Sequence, residues 1–89
     1  MIMNLINTME QAVIAQLEEI QDRFPNICFC ERCRNDILAL ALNRLPPRYI
    51  VTEKGRVYAQ TAELRQQYRT DITVALIQAI TTVQANPRH

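Results

Sequence analysis

Apolar residues recur through the first two dozen positions at alternating intervals of three and four: Ile6, Met9, Val13, Leu17, Ile20 and Phe24. That period lays one stripe down one side of a helix. The spacing therefore predicts a single amphipathic helix over residues 1–24. Leu5, Ile14 and Ala15 widen the stripe, while Glu10, Gln16, Glu19 and Asp22 fall on the other side. Pro25 ends the helix, because a proline disfavours helical geometry at the preceding Phe24 and has no backbone N–H to donate. A second segment, Ile37 to Leu42, is apolar on every side, with Asn35 as its N-cap and Asp36 in its first turn. A helix without a polar face belongs at the centre of its domain. Asn43 and Arg44 close it, and Pro46 prevents its continuation. The third pattern runs over residues 61–85, capped by Thr61, with a stripe of Leu64, Tyr68, Ile72, Leu76, Ile80 and Val83, and a stop at Asn86-Pro87.

Residues 47–59 are the least helical part of the chain. Ile50, Val51 and Thr52 favour an extended backbone. Lys54-Gly55 is a turn signal, and Val57-Tyr58 reads as extended again. A short hairpin and an extended loop draped over the helices both fit. The expected fold is all-α: two long helices flanking a short buried helix, with an irregular Arg-rich connector. The lone glycine among 89 residues agrees, since tight turns are then scarce. A chain of this length makes one domain, residues 1–89, close to the size at which a core needs a metal, disulfides or a partner. A first helix of about 20 residues would be roughly 30 Å long. Stripes of that length exceed what one small domain buries, so a homodimer is expected.

No apolar run approaches a membrane span, and Glu10 interrupts the stretch where a secretory signal would be apolar. A cytoplasmic protein is the expectation. Net charge is +1, but it is unevenly spread. Residues 1–31 carry Glu10, Glu18, Glu19, Asp22 and Glu31 against Arg23, a balance of −4. Residues 32–69 carry Arg32, Arg34, Arg44, Arg48, Lys54, Arg56, Arg65 and Arg69 against Asp36, Glu53 and Glu63, a balance of +5. Such asymmetry means internal pairing or a local anion site.

Two groups of residues carry candidate chemistry. Cys28, Cys30 and Cys33 put three thiols within six residues, next to a helix start that favours thiolate. Zn²⁺ takes four ligands. Asp36, water or a group from a second chain are candidates for the fourth, and His89, the one histidine, sits at the terminus. Reduced structural thiols, or redox chemistry at Cys30–Cys33, are the alternatives. The second group is Arg44, Arg48, Lys54, Arg56 and Tyr58. Guanidinium forks grip phosphate, and arginine and aromatic faces stack on bases. The competing reading is a solvated face paired with the acidic first helix. Arg65 and Arg69 extend the anion site or pair with Glu10, Glu18 and Glu19.

The order Cys28, Cys30, Cys33, Asp36, Ile37, Ala39, Ala41, Leu42, Asn43, Leu45, Pro46, Pro47, Tyr49 resembles the signature of the bacterial late-competence ComFB family. There Cys-x-Cys-x-x-Cys runs into Asp-Ile-x-Ala-x-Ala-Leu-Asn-x-Leu-Pro-Pro-x-Tyr. The match covers about a quarter of the chain densely, with a looser echo in Asn7, Glu10 and Val13. The resemblance implies a cyclic dinucleotide receptor, for cyclic di-GMP and in some members cyclic di-AMP, and a dimer that in some members holds zinc. It assigns no ligand-contacting residues, because the signature is mainly structural. Enzyme chemistry is not indicated, since no Ser-His-Asp set, paired acid pocket or phosphate-cradling glycine loop is present. A near-zero net charge argues against nucleic acid as a partner; an unidentified protein partner is expected.

Overall fold

The computed structural model describes residues 3–53 and 57–87. Its elements in order are β1 (Met3–Asn7), α1 (Thr8–Ile20), a 3-10 turn (Gln21–Arg23), α2 (Glu31–Asn43), β2 (Tyr49–Glu53), α3 (Val57–Gln67) and α4 (Arg69–Ala85). The fold is mostly helical, as expected, with one addition: β1 and β2 pair antiparallel, setting Leu5 opposite Val51, Ile6 opposite Ile50 and Asn7 opposite Tyr49. Residues 3–7 are thus not the start of the first helix. A short apolar stretch suits either period, and here the β-branched Ile50-Val51 segment supplies a strand to pair with. Alternation sorts the side chains. Ile6 and Ile50 are half-buried on the inner face, while Leu5, Val51 and Tyr49 are exposed.

Asn7 and Thr8 join strand to helix. Asn7 caps α1, its Oδ1 accepting from Met9 N at 3.2 Å and also from Arg48 N at 2.8 Å. Thr8 donates both its N–H (2.8 Å) and its hydroxyl (2.9 Å) to the Arg48 carbonyl. The Arg48 backbone therefore locks β2 to the start of α1, and Thr8 is buried in the process.

One contiguous core holds the helices together. α1 contributes Met9, Ala12, Val13, Leu17 and Ile20, as its stripe foretells. α2 packs chiefly on α4 and α3 packs on α1; the small residues Ala41 of α2 and Ala75 and Ala79 of α4 are all buried. Two departures concern the helices' bounds. α2 begins at Glu31 rather than after an Asn35 cap, and at 13 residues it equals α1. It is also not buried all round: Cys33, Ile37, Leu38 and Ala41 face inward, Leu40 and Leu42 are half-buried, and Ala39 is exposed. The last pattern starts earlier than expected, at Val57, and breaks at Tyr68 (φ −109°, ψ 21°). So Val57-Tyr58 is helical and forms no hairpin with β2, and Thr61 lies inside α3 rather than capping it. The helical bonds bridge the break, from Tyr68 N to Leu64 O and from Ile72 N to Tyr68 O. No proline or glycine stands there. The bend follows the packing, since α3 rests on α1 while α4 rests mainly on α2.

The molecule is elongated, 44 × 25 × 21 Å, with a radius of gyration of 13.7 Å against about 12 Å expected for this length. Helix faces consequently remain uncovered, including Val74 and Ile77 on α4. Among the described residues, no helix is long and apolar enough to cross a membrane.

Candidate functional site: a thiol triad and an arginine-bearing surface

Residues 27–30 present the thiols by alternation. Ile27 and Phe29 are half-buried against the core, which turns Cys28 and Cys30 outward. Cys30 is the N-cap residue of α2 (φ −61°, ψ 166°), and Arg34 N closes the first helical bond on its carbonyl at 2.8 Å. Cys33 then returns one turn into the helix and is buried. The three ligand atoms all lie within 4.8 Å of one another, and Asp36 does not join the group. A Zn²⁺ ion about 2.3 Å from each sulfur would space them about 3.8 Å apart. A contraction of about 1 Å or less closes that set, so three of four positions fit the ion. The fourth ligand is not supplied by the described residues, and His89 lies outside them.

The thiols differ electrostatically. Burial pushes Cys33 up from the ordinary 9.0 to about 12, and its contacts with the Cys30 and Cys28 sulfurs act in the same direction. Cys30 moves down, chiefly because the Cys33 backbone N–H faces its sulfur, with the Cys28 thiol contributing less. A cation at the triad would reverse the balance at Cys33, since a coordinating thiol is deprotonated by the metal.

The expected anion site is less concentrated. Lys54 and Arg56 lie outside the described residues. Arg44 is the C-cap residue of α2, and its side chain reaches the Gln78 side-chain oxygen on α4. Arg48 borders a groove shared with Gln60, Glu63 and Gln67 of α3. Tyr58 borders a different groove, on the side of α3 that faces α1. Arg44, Arg48 and Tyr58 are therefore not gathered around one depression. The pairing reading accounts for three other arginines. Arg65 and Arg69 both meet the Glu19 carboxylate, the second at 3.2 Å, and Arg34 meets Glu18 at 3.4 Å. The guanidinium of Arg48, by contrast, has no ion-pair or hydrogen-bond partner among the described residues.

A feature that the pattern reading missed is the groove beside Tyr58, with a volume of about 510 Å³. α1 lines it with Gln11, Ile14, Ala15 and Glu18, and α3 with Tyr58, Thr61, Ala62 and Arg65. Both sets follow the spacing i, i+3, i+4, i+7, which marks one face of a helix. The signal was present in the sequence as alanines at 15 and 62, where small side chains leave room between two helices.

A family model for the late competence development protein ComFB matches residues 6–87. The chain belongs to the ComFB family. The resemblance carried by Cys28 to Tyr49 thus extends over nearly the whole sequence. Competence protein ComFB of Bacillus subtilis (strain 168) is 30% identical over 83 residues, spanning 93% of this chain and 85% of that one. The solved structure of the late competence protein ComFB from Bacillus subtilis aligns with a TM-score of 0.81 at 32% identity, covering 94% of each chain. The small β1–β2 sheet and the four helices are accordingly a ComFB fold.

Proposed function

We propose that this ComFB-family chain is a non-enzymatic cytoplasmic receptor for a cyclic dinucleotide, cyclic di-GMP before cyclic di-AMP. It acts as a homodimer that passes ligand occupancy to a protein partner. The observation that carries the reading is Arg48, an exposed guanidinium left without a partner among the described residues while Arg65, Arg69 and Arg34 are matched to glutamates. A phosphodiester is the complement such a fork suits. Exposed aromatic rings at Tyr49 and Tyr58 supply stacking faces that the core does not use. The dimer is supported by the accessible surface, 6145 Å², against about 5400 Å² for a compact monomer of this mass. Exposed Leu5, Val51, Val74 and Ile77 point the same way.

The test is a calorimetric titration with cyclic di-GMP, then cyclic di-AMP. Saturable binding at micromolar affinity or better is expected. Arg48→Ala should weaken it about tenfold or more, the value of a charge-assisted hydrogen bond. That variant keeps the fold, because Arg48 holds the structure through its backbone N and O and not its side chain. Absence of heat from either nucleotide on folded protein removes the receptor reading.

The thiol triad favours a second reading, a zinc-stabilised adaptor that works through protein contacts alone. Cys28, Cys30 and Cys33 would hold the ion. A chelator then lowers the Tm, Zn²⁺ restores it with release of protons, Cys28→Ser removes the response, and nucleotides change nothing. A Tm indifferent to chelator and to added Zn²⁺ sinks the adaptor reading.

A further inference from the structure

The first turn of α2 holds two of the three thiols in unequal settings. Cys30 is the N-cap residue and is exposed, while Cys33, three positions on, is 2% exposed. Neither is spent on a disulfide, since Cys28, Cys30 and Cys33 are all free. The bond from Arg34 N to the Cys30 carbonyl sets the Cys30 Cα on the helix cylinder. Helix geometry then puts the two Cα atoms about 5 Å apart, inside the span of about 4.4–6.8 Å that a disulfide bridges. Their sulfurs lie within 4.8 Å of each other, and an S–S bond needs about 2.05 Å. Side-chain rotation covers that difference. Cys33 has room to rotate, because it lines a cavity of about 160 Å³ with Ile27, Ile37, Ile80 and Val83.

Cys28 is placed differently. It precedes the helix, on the segment whose alternation turns it and Cys30 outward. Two residues apart along an extended backbone, Cα atoms stand about 6.6 Å from each other, at the far end of the disulfide span. The favoured pair is therefore Cys30 with Cys33, and their roles follow from access. A dissolved disulfide meets the exposed sulfur of Cys30 and not the buried one of Cys33. Cys33 reacts with a partner already attached beside it.

We infer that Cys30 and Cys33 form a thiol–disulfide exchange site for the disulfide of a low-molecular-weight thiol. The Cys30 thiol gives its proton to solvent, and its sulfur attacks one sulfur of RS–SR. The S–S bond of the reagent breaks, and RS⁻ leaves and takes a proton from water. Cys33 loses its proton in turn and attacks the Cys30 sulfur of the mixed disulfide, releasing the second RS⁻. Two protein thiols are oxidised to one disulfide, and one small disulfide is reduced to two thiols. The second step is intramolecular, so the mixed disulfide is short-lived. The exchange goes beyond the receptor reading and needs no ion. It meets the adaptor reading at the same atoms, because a closed bridge takes two of the three sulfurs from any ion the triad would hold.

The experiment uses the full chain, stripped of metal by a chelator, in buffers of rising oxidised-to-reduced glutathione ratio. Free thiols are alkylated on quenching, and the products are mapped by peptide mass spectrometry. The expected result is one internal disulfide, Cys30–Cys33, with no lasting glutathione adduct on the wild-type protein. Cys33→Ser should stop at one glutathione per chain, carried on Cys30, and Cys30→Ser should lose the bridge. The wild-type map needs neither variant, so it decides even if Cys33→Ser fails to fold. Thiols that stay reduced in excess oxidised glutathione overturn the exchange site. A glutathione adduct that persists on wild-type protein overturns it too, as does a bridge that includes Cys28. Because the chain is free of metal and nucleotide, each of these failures leaves the receptor and adaptor readings standing.

Discussion

Leu76→Ala is expected to remove about 3 kcal/mol of stability, within the range measured for buried leucine truncations. Leu76 is fully buried midway along α4. Its helix packs chiefly on α2 and less on α1, and Leu76 belongs to the one core they share, so its removal leaves a cavity between packed helices. Domains of this size are stable by about 5–15 kcal/mol in total, so one side chain decides a large part of whether the fold persists. In a urea titration the midpoint should fall with the slope unchanged, because the surface exposed on unfolding is nearly the same. Ile77→Ala is the comparison. Ile77 is 43% exposed, and its truncation should cost well under half as much. Equal losses would mean that the outer face of α4 is covered in solution, which on this chain points to a second copy.

The two variants also separate what the sequence could and could not convey. Residues 64 to 83 repeat at helical spacing, and the core positions Leu64, Ile72, Leu76, Ile80 and Val83 followed from that repeat. The break at Tyr68 did not, because the two halves lean on different helices and no proline or glycine announces it. The stripe of α1 was legible from Met9 onward. Residues 3–7 were not legible as a strand, since their partners stand 42 to 50 positions later, and short apolar runs carry no length cue for period 2 against 3.6. At the thiols, spacing sufficed to bring three sulfurs together. The helix start was misjudged because Cys30, a residue with little capping preference, occupies the N-cap. The dispersal of Arg44, Arg48 and Tyr58 could not be foreseen. It depends on which side of α3 each one meets, and the start of α3, residues 57–59, was read as part of the extended connector.

Gln16 is where pattern reading and structure part most sharply, and it carries the second large expected effect. Its position put it on the polar side of the first helix, yet it is 3% exposed. It is buried because both ends of its amide are used: Nε2 donates to the Thr73 hydroxyl at 3.1 Å, and Oε1 accepts from Arg65 Nε at 2.8 Å. Arg65 in turn holds Glu19. Gln16 thus ties α1 to α3 and α4 at one point, where no apolar residue could satisfy the guanidinium. Gln16→Leu keeps most of the volume but leaves Arg65 Nε and the Thr73 hydroxyl without that partner. The expected cost is about 2–3 kcal/mol, the penalty of a charged donor and a neutral hydroxyl left unanswered. Gln16→Glu should cost less above the carboxylate pKa, because its oxygens accept from Arg65 and also from the Thr73 hydroxyl, which can turn to donate. The glutamate variant therefore loses stability as pH falls and protonation removes its charge beside Arg65, while the leucine variant shows no such trend. Thermal unfolding of both variants between pH 4 and pH 7 checks the order. A leucine variant as stable as wild type would mean that water reaches Arg65 Nε, and that the amide at position 16 is tolerated by the core and not required by it.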